Sequence, residues 1–196
     1  MTAGSPTSRG RPRDPELQDR VFDAVVEVYG EAGWAGFSLE AVARRARVGR
    51  EALYRRWADK AELLAAAVAA RAPRLERIDT GSTAGDLTAL AEHFLDSYRG
   101  PSGVVGLRMV LDARAHPGLA QQFAALLGGD RAGEARRVVR RAVQRGDVAA
   151  DVSATTVLQT IAGATLTHVL YATGAPSRRA DTRHVQQLVA LLVRPG

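Results

Sequence analysis

Residues 37–64, FSLEAVARRARVGREALYRRWADKAELL, constrain the fold more than any other stretch of the chain. Leu39, Val42, Ala43 and Ala46 recur at i, i+3, i+4 and i+7, which places them on one apolar face of a two-turn helix. Ser38 is a good N-cap for that helix, and Glu40 in its first turn suits the positive end of the dipole. Arg47-Val48-Gly49 then breaks the pattern within three residues. The next helix, from about Arg50 to Trp57, turns Leu53 and Trp57 toward a core and leaves Arg50, Glu51, Ala52, Arg55 and Arg56 outward. Asp59-Lys60-Ala61-Glu62 has the form of a capping box, so a further helix begins there. Two short helices about a tight turn, followed by a capped third, form a helix-turn-helix. Short or planar polar side chains on the second helix suit the reading of base edges in the major groove.

The rest of the chain continues in helices. Strand patterning is nearly absent, so the expected fold class is all-α. Asp14-Pro15 opens a helix to about Ala32, with Leu17, Val21, Val25, Val28 and Ala32 on one face and Gly33 at its end. A fourth helix starts at Lys60 and weakens at Pro73. Asp79-Thr80-Gly81-Ser82-Thr83 is the expected domain boundary. Helices are then predicted at about 84–99, 104–115, 117–127, 131–145, 154–172 and 181–193, separated by glycine and proline clusters. The expected organisation is a basic arm (1–13), a helix-turn-helix domain (14–60), a connecting helix (61–79) and a helical C-terminal domain (80–196).

Charge distribution agrees with an anionic partner. The chain carries a net charge of +6, but it is unevenly placed. Residues 1–13 carry a net +3, residues 38–60 a net +4, and the helical stretch 14–37 between them a net −5. Double-stranded DNA touched by the arm and the helix-turn-helix, with the first helix turned away, would account for this. Lys60 is the single lysine of the chain. The absence of cysteine excludes disulfides and cysteine-ligated zinc. No apolar run approaches the roughly 20 residues of a membrane span, and no apolar leader is present, so a cytoplasmic location without membrane attachment is expected.

At Ser38, Val42, Ala43, Ala46, Val48, Leu53, Tyr54, Trp57, Lys60 and Leu63 the motif resembles the DNA-binding domain of the TetR family. The stretch RAVQRGDVAADVSA (141–154) is similar to a connection in one subgroup of TetR-like C-terminal domains. The resemblance implies a homodimeric, ligand-responsive repressor with no cofactor. It further implies that Arg50 and Glu51, with Ala52 beside them and Arg55 at the edge, face bases, while Ser38, Tyr54 and Lys60 hold phosphates. Three positions depart from the family pattern: Arg47 replaces the turn glycine, Gly49 a serine cap, and Ala52 a Thr or Ser. These departures keep open an alternative, a helical small-molecule-binding protein with weakened DNA binding.

Other candidate sites follow from the residues themselves. RGRPR (9–13) supplies Arg9, Arg11 and Arg13, either as a minor-groove hook or as a solubilising tail. Leu87, Leu90, Phe94 and Tyr98, with Leu107, Val110, Leu111, Leu119 and Phe123, form either an ordinary core or an apolar effector cavity. Its polar lining would be His93, Tyr98, Arg108, His168 and Tyr171, which suits an apolar, aromatic or weakly anionic effector. The four histidines show no metal spacing and no catalytic motif is visible, so neither a metal site nor an enzyme is expected. The arginine face Arg131, Arg136, Arg137, Arg140, Arg141 and Arg145 reads as solvated surface. Val157, Leu158, Ile161, Leu166 and Leu170, with Val185, Leu188, Val189 and Leu192, offer more apolar surface than a terminal hairpin can bury. Pairing of two such hairpins in a four-helix bundle would form a dimer.

Overall fold

The computed structural model describes residues 15–71, 73–116, 119, 133–172, 175 and 177–193. Among these residues all the regular secondary structure is helical. Helix α1 spans Pro15–Gly36, α2 Leu39–Ala46, α3 Arg50–Tyr54, α4 Lys60–Arg71, α5 Thr83–Arg99 and α6 Pro101–Ala115. Helix α7 is described over residues 133–145, and α8 (Ala154–Tyr171) and α9 (Arg178–Leu192) follow. Arg9, Arg11, Arg13 and Phe123 lie outside the described residues.

Local chemistry explains the helix ends. Side-chain oxygens of Ser38, Ser82, Ser153 and Ser177 accept the orphan N–H groups at the starts of α2, α5, α8 and α9. At α4, Asp59 Oδ1 accepts from Glu62 N at 2.8 Å, and Glu62 Oε2 reaches back to Ala58 N at 2.6 Å. The predicted capping box is present, shifted by one residue in its return bond. Helix α1 continues past Gly33, which kinks it at φ 62° and ψ −171°. A side chain there would be strained by that positive φ, and its Cβ would push the Arg108 guanidinium aside at 2.9 Å. The connecting helix predicted over 61–79 stops at Arg71, and residues 73–80 are not helical. Pro73 is the cause, because it lacks an N–H and disfavours helical backbone in the residue before it.

Two cores result. The first joins α1–α4 around Val21, Tyr29, Phe37, Leu53, Trp57, Leu63 and Leu64, and takes in Val105 and Met109 from α6. The second gathers α5, α7, α8 and α9 around Leu90, Phe94, Val138, Ile161 and Val185, with Ile78 from the segment that follows α4. Helix α6 packs on both α1 and α5 and so touches both assemblies.

Candidate nucleic-acid interface

The turn between α2 and α3 forms without its glycine. Arg47 adopts the left-handed conformation, φ 56° and ψ 47°, and is the only non-glycine residue described with a positive φ. Its strain, on the order of 1 kcal/mol, is held by a bond from Val48 N to Ala43 O at 3.0 Å that closes the end of α2. Leu53, fully buried, and Trp57 lock α3 onto the first core. The opposite side of α3 presents Arg50, Glu51 and Arg55, all exposed, with Ala52 half-buried. Regular helix ends at Tyr54, earlier than predicted, and a turn carries the chain to Trp57. Arg56, expected to face outward, folds back over the Trp57 ring and donates to Gln18 Oε1 at 2.9 Å.

The three side chains predicted to hold phosphates have partners within the chain. Ser38 Oγ caps α2. The Tyr54 hydroxyl donates to Glu40 Oε1 at 2.6 Å. Lys60 Nζ lies 4.0 Å from the centroid of the Trp34 ring and donates to Trp34 O at 2.9 Å and Phe37 O at 3.1 Å. The lysine therefore closes the C-terminal end of α1, where orphan carbonyls and the dipole favour a cation. The acidic face of α1 also works within the chain: Arg45 pairs with Glu27 and Glu31, and Arg71 with Asp19 and Asp23.

Comparison with known proteins matches this arrangement twice. Residues 21–67 fit the model of bacterial regulatory proteins of the tetR family, and residues 77–190 fit that of the tetracyclin repressor-like C-terminal domain. The chain belongs to the TetR family. It is 27% identical over 191 residues to a DNA-binding transcriptional repressor TetR of Mycobacteroides abscessus, covering 96% of this chain and 98% of that one. It is 28% identical over 165 residues to the HTH-type transcriptional regulator AqdR of Rhodococcus erythropolis, covering 82% and 77% of the two chains. The fold is similar to that of the transcriptional regulator FadR from Bacillus subtilis in complex with stearoyl-CoA, with a TM-score of 0.68, 15% identity and coverage of 88% and 97%. This TetR-family chain is thus a helix-turn-helix transcriptional regulator.

The residues predicted to line an effector cavity fall into separate groups in this TetR-family fold. Leu87, Leu90 and Phe94 are buried in the second core. His93 meets the Phe94 ring edge-on and Tyr98 stacks on it, at centroid distances of 5.8 Å in each case. Leu107 is half-buried, while Leu111 and Tyr171 are exposed. The inward row of α6 is Val105, Met109 and Asp112, which rotates Leu111 to the outside. Arg108 points at Gly33 of α1. His168 bonds Asp181 at 2.9 Å and stacks on His184, with ring centroids 4.2 Å apart.

The predicted dimer set divides as well. Val157, Ile161, Val185, Leu188 and Val189 are buried in the chain's own second core, because α8 and α9 both pack on α5. Leu158, Leu166 and Leu192 are half-buried and Leu170 is exposed. Leu191, absent from the predicted set, is 84% exposed.

Three acids that no sequence pattern singled out, Asp112, Asp86 and Glu134, carry the main polar joints. Asp112 Oδ2 on α6 accepts from the Tyr29 hydroxyl at 2.6 Å and from Trp34 N at 3.0 Å, both on α1. Asp86 on α5, fully buried, accepts from Thr80 N, the Thr80 hydroxyl, Arg141 and Arg145. Burial alone would raise the Asp86 carboxyl, but the Thr80 bonds and Arg141 outweigh it and hold it below the usual carboxylate range. Glu134 on α7, also fully buried, accepts from Ile78 N at 3.0 Å and from Arg137. Arg141 donates to Ile78 O at 2.5 Å. Arg141 and Arg145, expected in solvent, thus reach in to buried Asp86, and Arg141 also grips the segment leading out of α4, while Arg137 keeps the expected exposed face as it pairs with Glu134.

Proposed function

We propose that this regulator is a ligand-responsive repressor that binds a palindromic operator as a homodimer. The observation that carries the reading is the outward row Arg50, Glu51 and Arg55 on a helix fixed from behind by Leu53 and Trp57. A rigid helix with planar polar side chains on its exposed side is suited to base readout, and an arginine there pairs with guanine. Dimerisation is supported by the apolar remainder of α8 and α9, namely Leu170, Leu191 and Tyr171, which are exposed, with Leu158, Leu166 and Leu192, which the chain buries only in part. Packed about a two-fold axis, these helices would set two recognition helices for half-sites one DNA turn apart, ~34–36 Å, or a multiple of it.

Effector response is supported by the position of α6. Asp112 and Arg108 meet the end of α1, while the same helix packs on α5. An apolar molecule bound between α5 and α6 would act on DNA only through its preference for one of two α6 positions. That a regulator of the same fold is seen with stearoyl-CoA supports an apolar ligand class. The test is selection of duplexes from a random library by the purified protein, with the molar mass of the complex measured. A two-to-one complex on a two-fold symmetric site is expected, with discrimination lost in Arg50→Ala. A one-to-one complex on an asymmetric site rejects the dimer, and unchanged discrimination in Arg50→Ala rejects the recognition face.

A further inference from the structure

The exposed side of the helix-turn-helix holds an acid in surroundings that suit a phosphate. Glu40, in the first turn of α2, receives the Tyr54 hydroxyl from the end of α3 at 2.6 Å. That bond, the residue's own backbone N–H, the Arg50 guanidinium and the Ser38 hydroxyl together outweigh burial and hold the Glu40 carboxyl below the usual carboxylate range. It is therefore a fixed negative charge at neutral pH. Tyr54 is 53% exposed, and exposed Arg50 stands on the same short helix with exposed Arg55 at its C-terminal end, so the pair lies on the outer surface rather than in the core. The Tyr54 hydroxyl bonded to the carboxylate, with the Ser38 hydroxyl capping the same turn of α2 and the Arg50 guanidinium favouring the charge, makes up a set that commonly grips a DNA backbone phosphate.

We propose that the Glu40 carboxylate stands in for a backbone phosphate, occupying the subsite formed by Ser38, Arg50 and Tyr54 until bound DNA displaces it. The inference rests on the reading of α3 as the recognition helix. Binding then exchanges one anion for another: the Tyr54 hydroxyl passes from carboxylate to phosphate, and Glu40 swings away from the phosphates that repel it. Two consequences follow. Glu40 weakens binding to all duplexes alike, since the phosphate carries no sequence information. The Tyr54 hydroxyl adds little net affinity in the parent protein, because its bond to phosphate replaces an equally good bond to Glu40.

The experiment measures affinity across a salt series for a duplex selected by the parent protein and for a scrambled duplex of equal length. The proteins compared are the parent, Glu40→Ala, Glu40→Gln, Tyr54→Phe, Arg50→Ala and the Glu40→Ala, Tyr54→Phe double variant. Glu40→Ala and Glu40→Gln are expected to bind both duplexes roughly two- to five-fold tighter, the scale of one exposed charge interaction. Their dependence of log affinity on log salt should steepen by about one unit, as for one more neutralised phosphate. Tyr54→Phe should weaken the Glu40→Ala protein more than it weakens the parent. Glu40→Gln keeps an acceptor for Tyr54 without the charge, so it decides the matter if Glu40→Ala melts early. Glu40→Gln binding no tighter than the parent, or changing preference between the duplexes with scrambled-duplex affinity unmoved, overturns the proposal; the latter makes Glu40 a base reader. Discrimination retained in Arg50→Ala overturns the recognition-helix reading instead, whatever the Glu40 variants do.

Discussion

The two cores use charge in opposite ways. Around the first, ion pairs lie at the surface: Arg45 with Glu27 and Glu31, each at least 40% exposed, strap α2 to α1 from outside. In the second, Asp86 and Glu134 are buried, and Arg141 and Arg145 reach inward to Asp86. A surface pair loses little water and contributes little, whereas a buried carboxylate deprived of its partner retains the full cost of desolvation. The first core therefore rests on apolar packing with charge as trim. The second owes the geometry of its linker, residues 78–80, to charge.

The sharpest test of that contrast is Arg141→Met, which strips the main cation from Asp86 and the donor from Ile78 O. It should cost roughly 3–5 kcal/mol by chemical denaturation. A cost below about 1 kcal/mol would mean that Arg145 and Thr80 suffice and that the second core does not depend on its buried charge. Next is Asp112→Ala at the joint between α1 and α6, which leaves the Tyr29 hydroxyl and Trp34 N without their acceptor. A loss of roughly 2–3 kcal/mol is expected. Burial first, and then Asp112, push the Tyr29 phenol well above its ordinary range, so it remains a protonated donor at any working pH.

Acid should separate the two cores further. Burial, then the neighbouring His168 ring, lower the pKa of His184 in the folded chain below its ordinary value of 6.5. The unfolded chain then takes up a proton that the folded chain refuses, so stability is intact above pH 6.5 and declines as pH falls below it. His184→Gln should flatten this decline in melting temperature between pH 7 and 5; an unchanged slope would assign the effect elsewhere. The groups that His184 meets across this junction are His168 of α8 and Asp181 of its own helix, with Arg99 of α5 paired to that aspartate. The smallest effect expected is that of Arg45→Ala, a slight drop in melting temperature that diminishes with added salt. A larger, salt-independent loss would show that the surface straps carry load as the buried pairs do.

What was legible in the sequence follows the same division. The helix-turn-helix was readable because its determinants are local: the i, i+3, i+4 spacing of α2, Ser38 as cap, and Asp59 with Glu62 at the start of α4. Even Arg47 in place of glycine altered the cost of the turn and not its shape. The Asp112 contacts join residues 78 and 83 positions apart, and no periodicity announces such a partner. The arginines of α7 fall at spacings that fit a solvated face, and only the path of residues 78–80 beneath them makes Asp86 and Glu134 interior. On α8 and α9 the apolar positions were visible, but the sequence did not say which side α5 would claim. That uncertainty placed Val157, Ile161 and Val185 in a dimer interface when they serve the chain's own core.

Lys60 has a consequence beyond the helix end that it closes. It is the one ε-amine in the chain, clasped by two carbonyls under an indole ring. An amine attacks an acylating reagent only after losing its proton, and this one must first leave its cradle. The rate of acylation at Lys60 therefore counts the moments when the last turn of α1 releases the start of α4. Once acylated, the side chain has lost its charge and most of its donors, so the cradle cannot close again as before. Lysine acylation would thus act on this regulator through a single position, as a lock that records each opening by preventing the return.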